Sequence, residues 1–436
     1  MRADAGRWAL PAFCAAALLL GGSVQAVWSN LILQLGALLL VTWAMLRGRP
    51  PEHSRWLVAL LWLIVLLPAV QLVPLPPAVW SNLPGREEAV RGFALRNEPL
   101  PWLPISLAPY ETIATGLMLL PPVVVFTSMM RLTTLRPLDL MMVILSCASL
   151  HVLLGLMQVS AGTAWYLHAF SNAGAATGFF ANANHLAAML LVSLPILAAA
   201  ASEYSARIDA SGKRILWLLV AAAGSLLLLG LLLTGSSAGM LLALPVVGAS
   251  LTLFRGVHLL GRRSVLAAAA LLALAGGVAL SVASRDSTAL LSRQQIWEKT
   301  APLVVKYAPL GSGLGTFEPL YRLTEDPSSV DRTFINRAHN DYLQLALETG
   351  VPGMLLLLAF LAWWMRRTYR LWQPGGGDLR ARAGTIASGA LLAHSLVDYP
   401  LRTSANATLL AICIALMSGA RFVPAPPPRS LRHLTA

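Results

Sequence analysis

Twelve stretches of about 20 apolar residues, divided by short polar connections, dominate the chain. Each approaches the length needed to cross a hydrocarbon core about 30 Å thick. They lie near residues 8–27, 30–46, 56–73, 111–130, 138–160, 184–202, 215–233, 238–254, 264–283, 351–365, 383–399 and 403–420. Lipid offers no partner to a backbone N–H or C=O, so such stretches must satisfy their own peptide groups, and helices do this within one segment. The expected fold class is therefore all-α, a polytopic integral membrane protein of about 12 transmembrane helices. Composition agrees: 57% of residues are hydrophobic and 12% charged, against about 25% charged in a soluble domain. The start of the chain, with Arg2, Arg7 and a Ser23-Val24-Gln25-Ala26 end, is similar to a cleavable signal peptide. A retained first helix is favoured because many more spans follow.

Orientation follows from the basic residues. With both termini inside, about two thirds of the 32 Lys and Arg fall in inner connections, whereas most of the 19 acidic residues fall outside. The formal charge of +13 is thus a topology signal and gives no support to a nucleic-acid partner. Cys14, Cys147 and Cys413 all sit in apolar runs, which leaves no disulfide framework and no cysteine metal site.

The chain then divides into nine spans over 1–283, an outer loop at 284–350, three spans over 351–420 and a cytoplasmic tail at 421–436. Within the first part, residues 74–110 are rich in Pro and Trp, with a short amphipathic piece near 86–95. Proline opposes regular helix and Trp favours the headgroup zone, so this segment is expected to lie along the outer interface. The 284–350 loop is a long polar island carrying Arg285, Arg293, Lys299, Lys306, Arg322, Arg332, Arg337 and His339. Residues 292–306 read as helix, 311–315 as a turn, and 338–348 as a helix stopped by Gly350. The Gly-rich 311–315 run lacks the strand-to-helix context of a phosphate-cradling loop.

Several motifs in order resemble the O-antigen ligase/polymerase family of bacterial envelopes. They are Ser292-Arg293-Gln294-Gln295-Ile296-Trp297, Gly311-Ser312-Gly313-Leu314-Gly315-Thr316-Phe317, Ala338-His339-Asn340-Asp341-Tyr342-Leu343-Gln344 and Glu348-Thr349-Gly350-Val351-Pro352-Gly353. Upstream, Asn182-Ala183-Asn184-His185, and downstream, His394-Ser395-Leu396-Val397-Asp398-Tyr399-Pro400-Leu401-Arg402, are similar to its middle- and late-helix patterns. The resemblance implies an inner-membrane glycosyltransferase, with its active face in the periplasm and a GT-C-like helical fold. Such an enzyme passes glycan from an undecaprenyl-diphosphate carrier to a sugar hydroxyl, on lipid A-core or a growing polymer. It implies no cofactor and no metal.

The chemistry of the residues fits. A departing lipid diphosphate needs a cation that stays charged in a low-dielectric site, which suits arginine; Arg293 comes first, then Arg337 and Arg402. The attacking hydroxyl must lose a proton, which an imidazole accepts near neutral pH; His339 is the candidate. Asn182, Asn184 and His185 form a hydrogen-bonding cluster for glycan or diphosphate, or alternatively cap a helix. Asn340 is expected to fix the loop, Asp398 to pair with Arg402 or a site arginine, and His394 to make a satisfied interhelical contact. One departure stands out: the family commonly carries an arginine in the outer turn that here holds Ala238. Rival readings are a transporter and a non-catalytic partner that binds carrier-linked glycan. The halves do not echo each other and mid-span ionisable residues are scarce, which counts against a transporter.

Overall fold

The computed structural model describes residues 2–23, 28–47, 55–133, 135–254, 287–325, 335–375 and 377–420. The span expected at 264–283, the tail at 421–436, and residues 284–286 and 326–334 of the outer loop lie outside these.

The described residues form helices α1 (Arg2–Leu20), α2 (Trp28–Arg47), α3 (Arg55–Gln71), α4 (Pro77–Trp80), α5 (Glu87–Leu95), α6 (Pro109–Met118), α7 (Leu120–Arg131), α8 (Pro137–Ala161), α9 (Ala183–Ser205), α10 (Ala210–Leu233) and α11 (Ser237–Leu251). After the undescribed stretch come α12 (Ser287–Lys306), α13 (Phe317–Arg322), α14 (Asp341–Trp372), α15 (Leu379–His394) and α16 (Ser404–Met417). Among the described residues no strand occurs beyond one antiparallel bridge between Leu75 and Leu103. Among the described residues six stretches, α2, the α6–α7 pair, α8, α9, α10 and α14, are long and apolar enough to cross a membrane, and four shorter apolar helices accompany them.

Helix α9 is the axis of the molecule. It is apolar all round, so it has no face to offer water, and every residue from His185 to Ser202 is buried. Helices α8, α10, α11, α15 and α16 pack around it. Close approach is possible because its contact surface is built from small residues such as Ala187, Ala188, Ala198 and Ala199, the usual basis of helix association where lipid removes the hydrophobic drive. The start of α9 is thereby held against the end of α15 and the start of α16.

Several boundaries differ from expectation. The 383–399 stretch is helical only to His394, because Asp398 accepts the Tyr399 N–H and the residue before Pro400 is kept out of the helical region. The 111–130 stretch is two helices that meet at Leu119, where Pro121 and Pro122 withhold the N–H groups that would continue α6. Residues 74–110 are not free of helix: α4 begins at Pro77, a first-turn position that proline tolerates. This segment also does more than lie flat, since Leu107 N–H donates to Ser312 O at 2.9 Å.

As expected, the helix that follows Asn340 is interrupted at Gly350: α14 is two helical pieces joined across a kink at that residue, the second reaching Trp372. Gly350 has φ +56, and a Cβ there would meet Pro309 O at 2.2 Å. Only glycine lets the 309–313 turn nest into this kink, with Val351 N–H donating to Pro309 O at 2.7 Å.

Candidate functional site

The site begins at the N-terminus of α9. Asn182 caps the helix, its side chain accepting the Asn184 N–H at 2.8 Å, an interaction of about 1 kcal/mol. That geometry turns Asn182 Nδ2 toward Tyr399 Oη, 3.3 Å away, and Asn184 Nδ2 onto Asp398 Oδ2. The capping role expected for this cluster therefore belongs to Asn182, while Asn184 is spent on the carboxylate. His185 is fully enclosed, with neither ring nitrogen hydrogen-bonded.

Asp398 is the centre of the arrangement. Its carboxylate is completely buried. Oδ1 accepts the Tyr399 N–H at 2.8 Å, and Oδ2 accepts from Asn184 and, at 3.4 Å, from Arg293 Nη2. His339 Nδ1 lies 3.5 Å from Oδ1, close enough for an ion-pair contact though without hydrogen-bond alignment. Donors converge from three places, with the His339 imidazole alongside, so the group is provided for as an anion. Of the two partners expected for Asp398, the fold selects Arg293 and gives Arg402 elsewhere. The Tyr399 ring stands edge-on between the imidazoles of His185 and His339, with centroids 4.8 and 4.9 Å away. His394 departs from the satisfied contact expected of it: it is buried with both ring nitrogens unpartnered.

His339 has φ +49, a left-handed conformation uncommon outside glycine. Its neighbours hold it there. Ala338 O accepts the Trp297 indole N–H at 2.8 Å, and Ala338 N–H donates to Gln344 Oε1 at 3.1 Å. Asn340, as expected, fixes the loop: its Oδ1 accepts the N–H groups of Tyr342 and Leu343, both at 3.0 Å, and caps α14.

A second ionic group adjoins the first. Arg402 donates through Nη1 to Glu348 Oε2 at 2.7 Å and lies through Nε 3.3 Å from Asp341 Oδ1. Ser395 Oγ donates to Asp341 Oδ2 at 2.9 Å, and Gln344 Nε2 to Glu348 Oε1 at 2.8 Å. Arg402 is thus occupied by two carboxylates. Arg337 differs: its Nε is enclosed with no hydrogen-bond partner, and burial, helped by the nearby Arg402 guanidinium, pulls its pKa below the ordinary arginine value.

Arg337, Arg402 and Asp341 line one end of a cavity of about 910 Å³ between α2, α3, α6, α14 and α16. Glu318 and Asn336 complete the polar end, while Leu31, Ile64, Leu67, Leu357, Phe360 and Leu410 form apolar walls. Arg293, His339 and Asp398 do not line it. The 336–342 segment serves both regions, giving Arg337 to the cavity and His339 to the Asp398 cluster.

The Gly311–Gly315 turn is a structural turn. Its amides at Gly311, Ser312 and Gly313 donate to the carbonyls of Tyr307, Leu347 and Glu348, and Leu314 N–H donates to Gln71 Oε1, which leaves those four unavailable to a phosphate. In the turn before α11, Ser236 caps the helix by accepting Gly239 N–H at 3.1 Å, and Ala238, in the first turn of that helix, supplies no charge. Among the described residues, no group of three or more His, Cys, Asp or Glu is gathered as a metal site.

Sequence reasoning did not assign roles to Trp297, Asp341, Gln344, Glu348 or Tyr399. The acids were the readable signal, because a carboxylate at the head of an apolar helix is costly unless paired.

Residues 222–358 match the family model described as O-antigen ligase. The match covers Arg293, Arg337, His339 and Asn340, whereas Asn182, Asn184, His185, Asp398 and Arg402 lie beyond it and join the site through the fold. It supports an O-antigen ligase-family assignment, and with it a membrane enzyme of glycan transfer. A search of curated proteins gave no match.

Proposed function

We propose that this chain of the O-antigen ligase type is a metal-independent glycosyltransferase of the bacterial inner membrane. It has twelve spans and a periplasm-facing site, and moves glycan from an undecaprenyl-diphosphate carrier to a sugar hydroxyl, as ligase or polymerase. The observation that carries this reading is the convergence of Arg293 and His339 on Asp398, at 3.4 and 3.5 Å, next to a cavity that Arg337 lines together with apolar walls.

In this reading Asp398 orients His339 through Nδ1 and leaves Nε2 free to accept the proton of the acceptor hydroxyl. The acceptor oxygen forms a bond to the anomeric carbon as the bond from that carbon to the phosphate oxygen breaks. The electron pair leaves with the lipid diphosphate. Arginine stabilises the charge that accumulates there, and the geometry changes the ranking of the three. Arg337 is best placed because its Nε has no partner, Arg293 follows, and Arg402 is committed to Glu348 and Asp341. Arg337 then supplies the positive charge that Ala238 does not. The apolar walls of the cavity suit the polyprenyl chain, and the buried setting of the Asp398 cluster, which excludes water, limits hydrolysis.

The test is to incubate the purified protein with undecaprenyl-diphosphate-linked glycan and candidate saccharide acceptors, with and without a chelator. Release of free diphosphate carrier together with glycan transfer, unaffected by chelation, is expected. Binding or movement of the carrier-linked glycan without transfer overturns the reading.

A further inference from the structure

The mechanism above uses His339 and leaves open what holds an imidazole on a backbone that favours other conformations. The answer lies in Ala338, whose two backbone groups are both claimed by side chains. Its carbonyl accepts the Trp297 indole at 2.8 Å and its N–H donates to Gln344 at 3.1 Å. Ala338 and Gln344 are both completely buried.

Each side chain reports to a different part of the site. Trp297 follows Arg293 by four residues on α12, so both fall on one helix face. The indole therefore ties the helix that presents Arg293 to the loop that presents His339. Gln344 uses its other end to donate to Glu348 at 2.8 Å, and Glu348 in turn holds Arg402 at 2.7 Å. Through this chain, the peptide before His339 is continuous with the buried ion pair at the end of the cavity.

We propose that Trp297 and Gln344 are positioning residues that clamp Ala338 and so keep His339 at Asp398 in register with Arg293. The proposal rests on the reading of His339 as the group that accepts the acceptor's proton. Loss of either clamp bond frees the 336–340 backbone to relax from its left-handed turn, and the imidazole leaves its station while the cavity and Arg337 remain.

The experiment compares Trp297→Phe and Gln344→Met with Trp372→Phe. The last removes a comparable indole hydrogen bond, to Thr385 at 2.9 Å, away from the site. Two readouts are taken on full-length protein in lipid nanodiscs: steady-state transfer from undecaprenyl-diphosphate-linked glycan, and hydrogen exchange of the 336–340 amides without substrate. In Trp297→Phe and in Gln344→Met, kcat falls at least tenfold with KM within twofold of wild type, and exchange at 336–340 accelerates at least tenfold. Trp372→Phe changes neither. Unchanged kcat alongside faster exchange, a rise in KM alone, or unchanged exchange overturns the proposal. A wild-type protein that transfers no glycan removes the functional reading instead, and the exchange measurement still decides whether the clamp exists. Gln344→Met keeps the question decidable if Trp297→Phe does not fold.

Discussion

Glu348 and Arg402, 54 residues apart in the chain, meet through a 2.7 Å contact between Oε2 and Nη1, with the Glu348 side chain wholly enclosed. Breaking such a pair leaves one charge buried and alone, which costs about 3–5 kcal/mol. Glu348→Ala and Arg402→Ala should therefore both lower the thermal unfolding temperature in detergent markedly. Glu348→Gln, which keeps the Gln344 contact possible, should lower it less. Equal stability in all three variants would remove the pair from any structural role.

Arg337 predicts the opposite pattern. Its enclosed Nε has no partner and burial already disfavours its charged form, so replacing it relieves a desolvation cost. Arg337→Ala is expected to keep or raise the unfolding temperature while weakening binding of the lipid-diphosphate donor by tenfold or more. A destabilised variant with wild-type donor affinity would show that the guanidinium serves the fold.

For the Asp398 cluster, His339→Ala and Arg293→Ala should each abolish transfer while the protein still inserts in the membrane. General base catalysis is worth roughly 10²- to 10⁴-fold, and Asp398→Asn should lose a comparable factor because the amide no longer supplies an anion to His339 and Arg293. Transfer at the wild-type rate in any of these variants would require a different site.

Topology is tested with a cysteine at Leu323, which is 73% exposed in the loop expected on the outer side. The native Cys14, Cys147 and Cys413 are all buried, so background labelling is low. Leu323→Cys should react with an impermeant maleimide in intact spheroplasts. Reaction only after the inner face is opened would reverse the orientation.

Much of the architecture was readable because its signals are local. Apolar runs of membrane length, a cap within the Asn182–His185 cluster, and the helical 292–306 stretch all depend on neighbours within a few residues, and the structure places helices at each of those that fall among the described residues. Boundaries were less readable. The end of α15 at His394 depends on Asp398 and Pro400 acting together, and hydropathy counts Leu396 and Val397 as helix regardless. The stop at Gly350 was legible, but the geometry of the kink there depends on the 309–313 turn, which needs space for its backbone.

The candidate site divides in the same way. The motif resemblance together with residue type singled out Arg293, Arg337, His339, Asp398 and Arg402, because a charged group or imidazole in an otherwise apolar chain has a desolvation cost that calls for a purpose. Only the packed structure decided who pairs with whom: Asp398 with Arg293, Arg402 with Glu348 and Asp341, and Arg337 with its Nε unpartnered. Pairing energy depends on distances of a few ångströms between segments more than 50 residues apart. Sequence order carries no such distances until α9 has brought those segments together.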